Sequence, residues 1–161
     1  MSSPEANISQ FEELLVALAR AELDFAVVGG VAVAMNGYVR TTRDVDILVD
    51  HAPDNIRRLL GCLASWGEGW GRELNAEEFI LQEGSIRIVE DFPLDVFTQM
   101  RGRTLADFRP RLREQRLQEV AIRHLGPADL IFLKEASWRD HDKIDVLALT
   151  EILRREAGQQ P

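Results

Sequence analysis

Two stretches decide how this chain reads: Phe25-Ala26-Val27-Val28-Gly29-Gly30-Val31-Ala32-Val33-Ala34-Met35 and Arg40-Thr41-Thr42-Arg43-Asp44-Val45-Asp46-Ile47-Leu48-Val49. The first is a short apolar run, a glycine pair and a second apolar run stopped by Asn36-Gly37. That order predicts a strand, a glycine turn and a short helix. In the second, acids and apolar residues alternate. A strand there presents Asp44 and Asp46 on one face and buries Val45, Ile47 and Val49 on the other. Pro53 then suits the first turn of a helix running to about Trp66.

Working outward, Ser9-Gln10-Phe11-Glu12 has the form of a capping box. Phe11, Leu14, Leu15 and Leu18 share one helical face, so a first helix is expected to about Leu23. After a glycine-rich loop at 67–71, strands are expected at 79–82, 85–90 and 94–98. Residues 105–116 are arginine-rich, and 117–125 can hold one more strand. Gly126-Pro127 opens a helix to about Ser137. A last helix from about Arg139 to Arg155 turns Ile144, Leu147, Ala148 and Ile152 inward, and 156–161 reads as a frayed end. The fold class expected is α/β (α+β), a short mixed β-sheet with flanking helices and C-terminal helices. It forms a single domain over 1–161, with a core about 25–98 and a C-terminal helical part about 105–156.

Composition agrees. At 161 residues, 45% hydrophobic and 29% charged, the chain can build one core and not two. Its formal net charge of -8 excludes a general cationic coat for nucleic acid or anionic membrane. A lone cysteine, Cys62, cannot form an internal disulfide and reads as core filler in a reducing compartment. The longest uncharged stretch, 25–39, is too short to span a membrane. Met1-Ser2-Ser3-Pro4-Glu5 lacks the pattern of an export signal. A cytoplasmic location without membrane contact is the expectation.

The chemistry concentrates in Gly29-Gly30, thirteen residues, Asp44-Val45-Asp46 and then Asp95 on a later strand. Two carboxylates at i and i+2 of a strand, joined by a third from a neighbour, make a face of hard oxygen ligands. Mg²⁺ takes such ligands together with substrate phosphates. Two such ions activate an attacking oxygen and stabilise a leaving one. Glycines let a phosphate approach the backbone, where amides at a helix start favour an anion.

Those residues, with Arg40-Thr41-Thr42-Arg43 and Leu94-Asp95-Val96, resemble the DNA polymerase beta-like nucleotidyltransferase superfamily. Arg40 and Thr42, four and two positions before Asp44, are similar to the abortive-infection (type IV toxin) nucleotidyltransferases and related bacterial proteins. The run Asp129-Leu130-Ile131-Phe132-Leu133-Lys134-Glu135 with Arg139, Asp142 and Asp145 also resembles them, with His141 in place of their usual Lys. The resemblance implies the nucleotidyltransferase fold. It implies that Asp44, Asp46 and Asp95 are the catalytic and metal residues, with Asp95 as base. Gly29, Gly30, Arg40, Thr42 and Lys134 would hold the nucleotide.

The activity implied is Mg²⁺-dependent transfer, with two ions, of a nucleotidyl group from a nucleoside triphosphate such as ATP to a hydroxyl of RNA, tRNA or protein. A toxin role with an antitoxin partner belongs to the same resemblance. Two alternatives stay open: a non-catalytic nucleotide- or partner-binding module of this fold, and a transferase acting on a small molecule of the aminoglycoside kind.

Six arginines lie between Arg101 and Arg116. They read either as a solvated helix face or as a patch for a phosphate-bearing acceptor such as tRNA. Trp66, Trp70 and Trp138 read as packing residues, with Trp70 also placed to stack on a base. His51, His124 and His141 have no zinc spacing.

Overall fold

The computed structural model describes residues 8–159. The expected absence of an export signal falls on residues 1–7, and the last part of the frayed end on 160–161, which lie outside the described residues. Six strands form one mixed sheet: β1 (Phe25–Val28), β2 (Val45–Val49), β3 (Ser85–Val89), β4 (Pro93–Phe97), β5 (Arg113–Leu117) and β6 (Val120–His124). Their order is β3-β4-β2-β1-β6-β5. Neighbours β1–β2, β3–β4 and β5–β6 are antiparallel, while β2–β4 and β1–β6 are parallel.

The helices are α1 (Glu12–Arg20), α2 (Gly29–Met35), α3 (Pro53–Ala64), α4 (Leu105–Phe108), α5 (Pro127–Lys134) and α6 (Asp140–Gln159). Central strands covered by helices lose the polar alternation of an exposed sheet. All four residues of β1 are buried, and in β2 every residue except Asp46 is. The core joins Phe11 just before α1, Leu15 and Leu18 of α1, Leu59 and Leu63 of α3, Ile47 and Leu94 of the sheet, and Leu149 of α6. The lone Cys62 is half-buried against this core, and burial pushes its thiol up.

Several expectations are corrected. The chain enters through a 3-10 turn, Ser9–Phe11, and α1 begins after Phe11 with no side-chain cap. Ser9 therefore lies within the turn, because the fully buried Phe11 sets the entry. Residues 79–82 are not a strand, because β3 already occupies the free edge of β4. Instead the Thr98 hydroxyl donates to the Ile80 carbonyl (2.7 Å) and accepts from the Gln82 amide (3.3 Å). The single strand expected at 117–125 is a hairpin, so 105–156 is not wholly helical. Its two-residue turn puts Gln118 and Glu119 at φ 49° and 66°. Turns with both central residues left-handed usually advertise themselves as Asn-Gly, and Gln-Glu carries no such mark.

The last helix shows solvent Ile144 and Leu147, 51% and 72% exposed, and buries Asp145 and Leu149. Ion pairs described below turn its charged side inward, against the apolar reading. It also runs on to Gln159, with Glu156 paired to Arg113 (2.7 Å) where a frayed end was expected.

The arginine-rich segment forms no continuous helix face, and its arginines, exposed apart from the half-buried Arg113, each find a neighbour. Arg109 forks onto Asp24 (3.0 and 2.8 Å), which Arg123 also reaches (2.8 Å). Arg111 pairs with Asp129 (2.9 Å) and Arg113 with Glu156. Arg101 bonds the Phe132 carbonyl and Glu135, and Arg103 lies over the Phe132 ring. Arg116 donates to the Glu119 carbonyl. Through the ion pairs of Arg101, Arg109, Arg111 and Arg113, this segment is tied to the rest of the fold.

Candidate active site

Register builds the site. Asp46 of β2 stands opposite Val28 of β1 and beside Asp95 of β4, and Asp95 stands opposite Arg87 of β3. Residues side by side in a sheet point to the same face, so four strands bring Arg87, Asp95 and Asp46 into one row ending at the glycine turn. Asp44, two residues before Asp46, joins that face. Carboxylate oxygens of Asp44, Asp46 and Asp95 all lie within 4.8 Å of one another.

The glycine turn is shaped by the acids. Gly29 follows β1 with φ +66°, and a Cβ there would lie 2.0 Å from Asp46 Oδ2. A Cβ on Gly30 would stand 2.8 Å from the Thr42 hydroxyl. Gly29→Ala combines a left-handed backbone, worth about 1–2 kcal/mol, with expulsion of the Asp46 carboxylate from its place. It is expected to lower unfolding stability by roughly 2–3 kcal/mol in denaturant titration, with a smaller loss for Gly30→Ala.

Electrostatics divide the triad. Burial, the charges of Asp44 and Asp95 and a hydrogen bond with Asp95 push the Asp46 carboxyl up to about 7, against the opposing charge of Lys134. Burial resists ionisation of Asp95 too, but the bonds and charge of Arg87, with help from Ser85 and Asp46, hold its carboxyl below the usual range. Arg87 donates Nε to Asp95 Oδ1 (2.9 Å) and Nη2 to Oδ2 (2.8 Å), and also reaches Asp44 (3.4 Å). The same contacts raise the Arg87 pKa.

Beside the triad opens a cleft of about 450 Å³. Gly29, Gly30, Thr42, Asp44 and Asp46 line one side, with Lys134, Arg139, His141 and Asp142 across it. Two of the cations expected here are held from behind. Arg40 forks onto Asp145 (2.8 Å twice), and Lys134 pairs with Asp145 (3.0 Å) and Asp142 (2.8 Å). Asp145 is fully buried, so it fastens α6, α5 and the 40–44 loop at one point. Thr42, also buried, donates its hydroxyl to the Asp44 carbonyl (3.3 Å). Another cleft of about 440 Å³, near Leu14, Trp66 and Phe92, shares no residue with this one.

All eight residues singled out in sequence meet at this one sheet edge and cleft, seven of them as cleft lining and Asp95 through the triad. Of the three tryptophans expected to pack, only Trp66 does, on Phe92; Trp138 is exposed, and Trp70 is exposed outside the cleft. His124 is buried with Nδ1 on the Leu125 carbonyl (2.9 Å), and burial pulls its pKa down. Arg87 and Ser85 carry no site signature in the sequence. An arginine alternating with Ile86 and Ile88 on a strand was the available signal, but only pairing of β3 with β4 gives it a partner.

Comparison with known proteins defines the class. Residues 7–155 match the family described as nucleotidyltransferase of unknown function (DUF6036), and the chain belongs to that family. Six chains of solved structures match. Among them is a candidate nucleotidyltransferase from Thermotoga maritima, 14% identical, covering 99% of this chain and 97% of its own, with a TM-score of 0.53. That likeness bears on the fold. No curated protein sequence matches the chain. Among the described residues, no helix is long and apolar enough to cross a membrane.

Proposed function

We propose that this nucleotidyltransferase takes a nucleoside triphosphate and, with Mg²⁺, transfers its nucleotidyl group to a hydroxyl of an RNA such as tRNA or of a protein, releasing pyrophosphate. The observation that carries the reading is the triad Asp44, Asp46 and Asp95, with oxygens within 4.8 Å at the mouth of a cleft that also holds cations. The donor set fits the metal: every ligand is a carboxylate oxygen, and the crowded negative charge that raises Asp46 is what a bound cation relieves. Two Mg²⁺ ions would supply activation of the attacking oxygen and neutralisation of the leaving one.

The chain's own residues do the rest. Asp44, Asp46 and Asp95 would hold the metal, and Asp95 would also orient the acceptor hydroxyl and take its proton. Gly29 and Gly30, which carry no side chain, would leave the backbone open to the triphosphate. Arg40 and Lys134, fixed by Asp145, balance phosphate charge, and Thr42 steadies the loop that carries Asp44.

Incubation with each labelled triphosphate, Mg²⁺ and total cell extract tests this. Label is expected in RNA or protein, with pyrophosphate released. Label in small molecules would move the acceptor to that class, and triphosphate binding without release would make the chain a binding module. The resemblance of Arg40 and Thr42 to the abortive-infection pattern is the support for extending the proposal to a toxin with a cognate antitoxin. Expression alone is then expected to arrest growth, and Asp44→Ala to restore it. Arrest by both would separate toxicity from this site.

A further inference from the structure

The fork of Arg87 covers the acid that the proposed chemistry needs free. Both oxygens of Asp95 are engaged, Oδ1 by Arg87 Nε and the Ser85 hydroxyl (3.2 Å), Oδ2 by Arg87 Nη2. The same Nη2 bridges to Asp44, so one guanidinium spans two of the three carboxylates. Asp95 is 8% exposed at its side chain, yet Arg87 is 54% exposed on β3, which ends the sheet. Its hydrogen bonds given by the described residues all go to these two acids. A side chain on an edge strand can swing into solvent without disturbing the core.

We infer that Arg87 is a displaceable counter-cation of the metal site, holding Asp44 and Asp95 together while no metal is bound and competing with the metal for their oxygens. The inference rests on the proposed metal-dependent reading. Without Arg87, the closely spaced carboxylates would repel one another. With it, the triad is kept assembled, and metal loading requires that the guanidinium let go. Arg87 is thus a positioning residue that sets how much free metal the site needs.

Calorimetric titration of the full chain with Mg²⁺ and with Mn²⁺, without nucleotide, tests this in wild type, Arg87→Gln and Arg87→Lys. Arg87→Gln is expected to bind metal roughly three- to tenfold more tightly, the span that loss of an exposed but forked charge pair allows. Its metal-free melting temperature is expected to fall, and added metal to raise that temperature more than in wild type. Arg87→Lys, which keeps the charge and loses the fork, is expected to fall between the two. If Arg87→Gln fails to fold, tighter binding by Arg87→Lys carries the test.

Equal or weaker metal binding by both variants, beside a wild type that does bind, overturns the inference and leaves the metal-dependent reading standing. Binding by the variants alone supports it. Absence of binding in all three overturns both. Asp46→Asn in the wild-type background removes the heat if the titration reports this site.

Discussion

Asp46→Asn is expected to abolish nucleotide transfer and, in the same protein, to raise the melting temperature of the metal-free chain at pH 8. The Asp46 carboxyl titrates near 7 in the fold and near its ordinary 3.8 when unfolded. Between about pH 4 and 7 the folded chain therefore binds more protons than the unfolded one. Its stability falls as pH rises through that window and stays lower above it. A carboxyl ionised so far above its ordinary range forfeits at most ~4 kcal/mol, and the partial exposure of Asp46 reduces that. Amide replacement removes the cost, so a rise of about 3–8 °C is expected, with a flatter dependence of melting temperature on pH.

The transfer assay and a pH series of thermal melts, both on Asp46→Asn, read the two halves separately. Full transfer by the variant would remove Asp46 from the mechanism. An unchanged pH dependence would remove it as the source of acid-favoured stability. The opposition has a plain cause: a metal ligand set is a repulsive cluster until its cation arrives, and a site poised for metal is strained without it.

Asp145→Ala is expected to be the most destabilising single change in the cleft. It strands Arg40, 23% exposed, and Lys134, 12% exposed, both of which now share one fully buried carboxylate. Breaking a buried ion pair by removing one partner typically costs 3–5 kcal/mol. Because Arg40 can partly reach water and Lys134 keeps Asp142, about 3 kcal/mol is expected here, read by chemical denaturation. Asp145→Asn keeps the side-chain volume and one acceptor oxygen for Arg40 and is expected to lose less. If Asp145→Ala matched wild type, the fastening of α6 to the 40–44 loop would lie elsewhere.

Nucleotide handling should follow the same break. With Asp145 gone, Arg40 and Lys134 lose their fixed positions along the cleft. Triphosphate affinity is expected to weaken even where the folded fraction is restored by lower temperature. A loss of affinity that tracks only the unfolded fraction would confine Asp145 to stability.

What was legible in the sequence was local. Phe25–Val28, the glycine pair and Val45–Val49 read correctly, since β-branched runs and φ-permissive glycines state their backbone in the residues themselves. The departures came where a side chain answered to a distant partner. Gln118-Glu119 makes a hairpin turn because β5 and β6 close over it. The 79–82 run lost its strand because β3 had taken the edge. Ile144 and Leu147 face water because Arg40 and Lys134 draw Asp145 inward.

By itself, the sequence determined the mixed fold, the acid pair on one strand face, the glycine turn before it and the kinship with nucleotidyltransferases. Tertiary structure alone decided that Arg87 closes the triad, that Asp145 anchors the cleft's cations and that Arg101, Arg109, Arg111 and Arg113 find acid partners. The physical reason is reach. Periodicity and turn chemistry act over a few residues, whereas a charge finds its partner across strands and helices that only the folded chain brings together.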